Sequence, residues 1–324
     1  MTQPVKCSSD LSTETRHARP YVGRFAPTPS GPLHQGSLVA ALGSYLDAKA
    51  HDGLWRLRMD NLDPQRCRTD TESTIIEQLA AHGLHHDGPI IRQADRCTQY
   101  RTALRALQQQ DAIYRCCCRR NTLRAGVDSG RIAEGLAGPI YPGTCRRDPP
   151  SADTQAGWRF SVPEEEIDVP DRRLGHLRQR VIETVGDPLL QRSDGVFAYH
   201  LAEVVDNAEE GITDVVRGAD LAPLTPLHVA IHRSLYPDRP PPRYLHLPVL
   251  YDAEGRKLSK TNLAPPLDPR IARDNLVAAA QALGLDTTGA GGDPAALLQT
   301  WTDQWRALFL GGEQTVDPLE SARQ

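Results

Sequence analysis

YVGRFAPTPSGPLHQGSLVAALGSYLDAKAHDGLWRLRM, residues 21–59, is the stretch that decides the fold. Residues 21–26 form a short apolar run that stops at a Pro/Ser/Gly loop, residues 27–32, and read as a buried strand ending in a turn. Leu38, Leu42 and Leu46 recur every fourth residue, the period of a helix, and His51-Asp52-Gly53 closes it. Residues 54–59 alternate Leu, Trp, Arg, Leu, Arg, Met and read as a second strand. Strand, helix and strand in about 40 residues make a βαβ unit, with parallel strands and a right-handed crossover. Such sheets bind ligands beyond the carboxyl ends of their strands. Residues just after Phe25 and just after Met59 are therefore expected to line one site.

Working outward, residues 74–86 and 98–111 carry helical patterns. From about 113 to 190 the character changes to cysteines, Gly/Pro-rich loops and charged runs, which read as an insertion. Strand signals return at 196–199, 212–216 and 244–250 and would complete the sheet. Asp268-Pro269 and Asp293-Pro294 each pair an N-cap with a proline at the first helical position. They predict helices over about 269–284 and 294–309. The expected organisation is a disordered tail (1–20), the first half of a nucleotide-binding Rossmann-like domain (21–112), an inserted subdomain (113–190), the second half (191–262) and a helical region (263–324).

Composition narrows the function classes. The 324 residues are 39% hydrophobic and 24% charged, ordinary for a globular protein. No apolar run approaches the length of a membrane span, and residues 1–20 lack the apolar core of a secretory signal. A cytoplasmic protein with no membrane partner is expected. A net charge of −4 announces no nucleic-acid partner, so any basic surface must be local. The 7 cysteines, an odd number, argue against a disulfide framework.

Two motifs suggest phosphate handling. His34 and Gly36 stand where the first strand turns into a helix. Free N–H groups there favour phosphate, and His34 can donate to a phosphate oxygen. A proline-rich turn capped by Ser37 is the alternative. Far downstream lies Lys257-Leu258-Ser259-Lys260-Thr261. It reads either as a solvated basic loop or as a clamp that neutralises charge on leaving pyrophosphate.

At these residues the chain resembles the class I aminoacyl-tRNA synthetases. His34-Gln35-Gly36-Ser37 is similar to their HIGH signature and Lys257 to Thr261 to KMSKS. Arg24-Phe25-Ala26-Pro27-Thr28-Pro29-Ser30-Gly31 resembles the glutamyl/glutaminyl branch. So do Leu57-Arg58-Met59-Asp60, Gly195-Val196-Phe197-Ala198-Tyr199 and Val216-Arg217-Gly218-Ala219-Asp220-Leu221. About 60 residues follow the lysine loop, short of an anticodon-binding region. Within the branch the chain thus resembles the glutamyl-Q tRNA(Asp) synthetases, truncated paralogues of the glutamyl enzymes.

The resemblance implies a fold, a reaction and a site. The fold is the class I Rossmann-like parallel sheet. L-Glutamate would be activated by ATP and passed to the queuosine base in the anticodon loop of tRNA(Asp), by a monomer. His34, Gly36, Lys257 and Lys260 would carry the chemistry, with His34, Gly36 and Lys260 on the ATP and Mg²⁺ bound with it. Arg24, Phe25, Ala26, Pro27, Thr28, Asp60, Tyr199 and Arg217 would hold glutamate. Arginine suits carboxylate because its planar fork meets two oxygens at once. Asp60 stands where the family has glutamate, one methylene shorter. Arg119, Arg120, Arg146 and Arg147 are candidates for phosphate contacts, or a solvated loop.

The cysteines at 116–118 and 145 are either incidental thiols or metal ligands. Spacing alone leaves that open, because Cys-x-Cys is tighter than the usual zinc pattern. The resemblance implies one structural Zn²⁺ on Cys116, Cys118, Tyr141 and Cys145, with Cys117 a possible competitor.

Overall fold

The quoted stretch folds as β1 (Val22–Phe25), α1 (Gln35–Ala50) and β2 (Leu54–Met59) in a computed structural model that describes residues 19–67, 69–136, 138–251 and 265–310. β1 and β2 pair in parallel, Val22 opposite Leu54 and Phe25 opposite Leu57. Leu38, Leu42 and Leu46 are fully buried on α1, as their spacing requires. The helix closes where Asp52 takes a left-handed φ of 54°. A Cβ at Gly53 would lie 2.6 Å from the Tyr21 carbonyl oxygen, so only glycine fits there.

α2 (Thr69–Ala81), β3 (Ile91–Arg92) and α3 (Cys97–Gln109) follow, with β3 parallel to β2. The next stretch holds β4 (Ile113–Cys116), α4 (Arg120–Asp128), β5 (Glu134–Gly135), β6 (Gly138–Pro139), α5 (Thr144–Arg147) and β7 (Gly157–Phe160). It continues through β8 (Ile167–Asp171), β9 (Gly175–Gln179), α6 (Val181–Thr184) and β10 (Leu189–Gln191). β4, β7 and β10 form a small antiparallel sheet. The β8–β9 hairpin, although it lies within 113–190, joins a sheet made by what comes next.

That sheet contains β11 (Asp214–Gly218) and β12 (Arg243–Leu247), preceded respectively by α7 (Tyr199–Glu209) and α8 (Thr225–Leu235). β11 and β12 are parallel, and β12 meets β8 at Tyr244 and Asp171. β11 lies alongside β1: Thr213 donates its N–H to the Val22 carbonyl at 2.9 Å. The carboxyl ends of β1, β2, β11 and β12 are thereby collected on one side. α9 (Ala272–Ala282) and α10 (Pro294–Leu310) close the chain. Asp293 caps α10, accepting from the Ala296 N–H, whereas Asp268, accepting from the Arg270 N–H, caps a 3-10 turn, Pro269–Ile271, that precedes α9 in place of one helix from 269.

Three strand expectations change. Residues 196–199 are not a strand: Phe197 makes one isolated bridge to Gln191, and Tyr199 opens α7. The run Phe197-Ala198-Tyr199 is apolar because Phe197 packs inward. From Leu201 to Asn207 every residue is buried, with no alternation of a half-buried strand. The later strands cover Asp214–Gly218 and Arg243–Leu247 instead of 212–216 and 244–250. The second ends before Pro248, which has no N–H for a ladder.

The buried Asp47 of α1 ties distant pieces together. It accepts from Tyr21 Oη, from both terminal nitrogens of Arg172 at 2.6 and 2.8 Å, and from Trp305 Nε1 at 2.9 Å. Burial opposes the charge, but these donors outweigh it and hold the carboxyl below its usual range. Among the described residues no helix is long and apolar enough to cross a membrane.

Candidate active site

The collected strand ends border two adjoining cavities. One, of about 350 Å³, is lined by Arg24, Asp60, Tyr199, Glu203 and Arg217 together with Phe25, Ala26 and Thr28. The other is a cleft of about 380 Å³ bordered by His34, Gly36 and Ser37 on one side and Pro248 and Val249 on the other. They share a wall: Phe25, Ala26, Thr28, Ala40, Gly218 and Leu221. Every sequence-predicted residue of the first cavity borders it except Pro27, which lines the cleft and accepts the Asp60 N–H at 3.0 Å. Lys257 and Lys260 lie outside the described residues.

His34 has a definite polarity. It is the N-cap of α1, and its Nδ1 accepts the Ser37 N–H at 3.2 Å. The Ser37 hydroxyl in turn accepts from the His34 N–H, completing a capping box. With Nδ1 accepting, the neutral ring carries its proton on Nε2 and can donate to a phosphate oxygen. The sequence offered two readings, a capped turn and a phosphate donor. The structure shows the first.

The first cavity is built on charge. Glu203, buried in α7, accepts from Arg24 Nη2 at 2.7 Å, from Arg58 Nη2, and from Arg217 Nη1 at 3.5 Å. Burial would raise this carboxyl, but Arg24, Arg58 and Arg217 hold it well below the usual range. Arg24 also donates to the Asn207 side chain at 3.4 Å and the Val216 carbonyl at 3.2 Å. Arg217 donates to Tyr199 Oη at 3.3 Å, Thr225 at 2.8 Å and His246 Nε2 at 3.2 Å. Arg58 also meets Asp60, Asp206 and Glu210, whereas Arg24 and Arg217, which border the cavity, share the Glu203 carboxylate and leave positive charge there for an anionic ligand.

Asp60 borders the same cavity. Arg58 Nε donates to its Oδ1 at 2.9 Å. Burial pushes its carboxyl up to about 7, Arg58 opposes the rise and Glu203 adds to it. A cationic group arriving beside Asp60 would restore its charge. A cavity bordered by Arg24 and Arg217 and by the Asp60 carboxyl suits a small acidic amino acid.

Arg58, Glu203 and Asp206 were not among the sequence-predicted site residues. Glu203, Asp206, Asn207 and Glu210 occur at i, i+3, i+4 and i+7, one face of a helix. That stripe was the available signal, and reading 196–199 as a strand obscured it. Arg58 sits fully buried in a strand of a sheet covered on both faces, where an unpaired charge would not persist.

A second cluster lies beyond β4. The sulfurs of Cys116, Cys118 and Cys145 all lie within 4.8 Å of one another. Tyr141 Oη is 3.3 Å from Cys116 Sγ and 3.6 Å from Cys118 Sγ, and Cys118 and Cys145 are 3.6 Å apart. A tetrahedron with metal–sulfur bonds of about 2.3 Å has edges of roughly 3.8 Å, so the three sulfurs could hold a metal ion, with Tyr141 Oη beside two of them. Cys117 is exposed and its Sγ lies 3.9 Å from Cys145. Burial resists ionisation of Cys145, yet hydrogen bonds from Tyr141 and from the Cys117 backbone bring its thiol down to about 7. Arg159 lies beside the cluster, its Nε 3.1 Å from Cys116 Sγ and its guanidinium 3.8 Å from the centre of the Tyr141 ring.

Comparison with known proteins agrees with this architecture. The pattern for tRNA synthetases class I (E and Q), catalytic domain, matches residues 21–273. The chain is 43% identical over 298 residues to the glutamyl-Q tRNA(Asp) synthetase of Ectopseudomonas mendocina, covering 91% of this chain and 97% of that one. It is 44% identical over 286 residues to the glutamyl-Q tRNA(Asp) synthetase of Thiobacillus denitrificans, covering 88% and 93%. Among solved structures, a glutamate tRNA ligase from Elizabethkingia meningosepticum is similar with a TM-score of 0.65 and 28% identity, over 74% of this chain and 52% of that one. The chain therefore spans about half the length of that solved synthetase. The parallel sheet and its flanking helices are the class I synthetase fold.

Proposed function

Because the chain belongs to the class I tRNA synthetases of the glutamate and glutamine branch, and within it to the glutamyl-Q tRNA(Asp) synthetases, we propose that it activates L-glutamate with ATP and transfers it to the queuosine base in the anticodon loop of tRNA(Asp). The observation that carries this reading is the shared wall. An acidic amino acid in the charged cavity and a nucleotide in the cleft would touch across Phe25, Ala26 and Thr28.

In the first step the α-carboxylate of glutamate attacks the α-phosphorus of ATP. The bond to the β-phosphate breaks and pyrophosphate leaves. His34 Nε2–H and the start of α1 at Gly36 hold phosphate oxygens. Lys260, and secondarily Lys257, neutralise the leaving group, and Mg²⁺ arrives with ATP. The chain contributes alignment and charge more than covalent chemistry. Arg217 and Tyr199 receive the side-chain carboxylate and Asp60 the ammonium. Glutamine in that seat would leave buried cations without a counter-charge, at a cost of roughly 3–5 kcal/mol.

The metal we assign to Cys116, Cys118, Tyr141 and Cys145 is one zinc ion. When bound it supplies a structural cross-link. It holds the end of β4 to α5 and takes no part in activation. The division at 113 and 190 belongs to the same proposal, with the zinc-bearing part serving the RNA. We propose that the enzyme works as a monomer.

The test is a transfer assay with ATP, labelled glutamate and separate tRNAs. Labelling of queuosine-containing tRNA(Asp) is expected. Labelling of tRNA(Glu) instead would show a conventional glutamyl-tRNA synthetase and defeat the proposal. Absence of glutamate-dependent ATP–pyrophosphate exchange would reduce the chain to a binding module.

A further inference from the structure

Two histidines link the glutamate cavity to a third cavity. This one, of about 660 Å³, lies between the thiol cluster and the start of α7, and Arg119, Arg120, Arg192 and His200 are on its wall. Tyr199 borders both this cavity and the one assigned to glutamate.

The hydrogen bonds between the cavities have only one possible direction. Arg217 Nη1 and Nη2 each lie 3.4 Å from His228 Nδ1. A guanidinium has no acceptor, so Nδ1 accepts. Burial, reinforced by Arg217 and His200, keeps the His228 ring neutral, and its proton is therefore on Nε2. That N–H meets His200 Nδ1 at 3.2 Å, which must also accept. Burial and Arg217 hold His200 neutral as well, down to about 4. Its one proton is left on Nε2. The other side of Arg217 has the same polarity: His246 Nε2 accepts from Arg217 Nε at 3.2 Å, and Nδ1 meets Asp171 at 2.7 Å.

We propose that His200 Nε2–H donates to an oxygen of the nucleotide that receives the glutamyl group, with its direction set by Arg217 through His228. The inference rests on the transfer reading above and deepens it. His200 is a donor and not a base, because its second nitrogen is already taken by His228. The hydroxyl oxygen bonds to the glutamyl carbonyl carbon, and the bond from that carbon to the phosphate oxygen breaks. AMP departs with the electron pair and its phosphate takes the hydroxyl proton. A donor beside the incoming nucleotide fixes its orientation for attack. Exposed Arg119 and Arg120 on the same wall offer charge to backbone phosphate.

The test compares single-turnover transfer to queuosine-containing tRNA(Asp) with glutamate-dependent ATP–pyrophosphate exchange. His200→Phe fills the space but cannot donate. It is expected to lower transfer about tenfold and to leave exchange within about twofold. His200→Gln keeps a donor and is expected to recover most of the transfer rate. Unchanged transfer in the Phe variant, or a Gln variant no better than Phe, would overturn the proposal. So would a matching loss of exchange in both variants, which would mark a residue of the fold or of activation. If the unsubstituted protein labels tRNA(Glu) and not tRNA(Asp), the transfer reading itself fails, a result distinct from these.

Discussion

Around Glu203 one carboxylate meets three guanidiniums, and the chain supplies both signs of charge. Around Tyr141 three thiols and a phenol meet one another, and the nearby cation, Arg159, borders only one edge. The first cluster carries counter-charge of its own. The second is a set of donors whose mutual repulsion, once ionised, calls for an ion at the centre. The glutamate cavity should therefore depend on the exact complement of charged residues, and the thiol cluster on what the solution contains.

The sharpest way to break this comparison is Glu203→Gln. It leaves Arg24 and Arg217 buried around a neutral amide, while Arg58 keeps Asp60, Asp206 and Glu210, a loss of about 3–5 kcal/mol. Thermal unfolding should shift down markedly and exchange with glutamate should vanish. An unchanged melting temperature would show that Arg24 and Arg217 do not need their counter-charge. Next comes Cys145→Ser, or chelation. Metal content should fall from about one zinc per chain to near zero, and transfer to RNA should fall with it. Exchange should survive within about threefold, because the cluster is not part of the activation cavities. Equal loss of both activities would erase the distinction between the two regions.

Arg217→Lys tests the charged cavity more finely. A point charge replaces a planar fork, and kcat/KM for glutamate should drop roughly thirty-fold, about 2 kcal/mol of charge-assisted hydrogen bonding. Discrimination against glutamine should weaken in parallel.

The smallest effect is a pH dependence. With the Asp60 carboxyl pushed up to about 7 by burial, the empty cavity is protonated below that value. The ammonium needs it ionised, so KM for glutamate should rise up to about tenfold per unit as pH falls below about 7. Asp60→Asn should flatten that limb. The stability contribution has the opposite sign. The folded chain binds this proton more tightly than the unfolded one, so the group's contribution declines as pH rises from about 4 toward 7.

The parts legible in the sequence are local. Leu38, Leu42 and Leu46 announce α1 by their own spacing, and Asp268 and Asp293 announce two helix starts within three residues each. Arg24, Asp60 and Arg217 could be placed at strand ends because a parallel sheet sends strand ends to one side. The structure brings all three to one cavity. What could not be read was pairing at long range. Two of the three cations on Glu203, Arg24 and Arg58, lie 179 and 145 residues away. Tyr199 was assigned to a strand because aromatic and apolar neighbours imitate one. The inward face of α7 became recognisable only once its arginine partners were in place.

Asp47 has a consequence for how the enzyme is made. Its partner Trp305 comes 258 residues later. The helix that presents His34 is therefore synthesised long before its last anchor leaves the ribosome. A chain released early would keep the Tyr21 and Arg172 contacts but lack the indole. The last of the three donors to Asp47 is thus supplied from near the far end of the described chain.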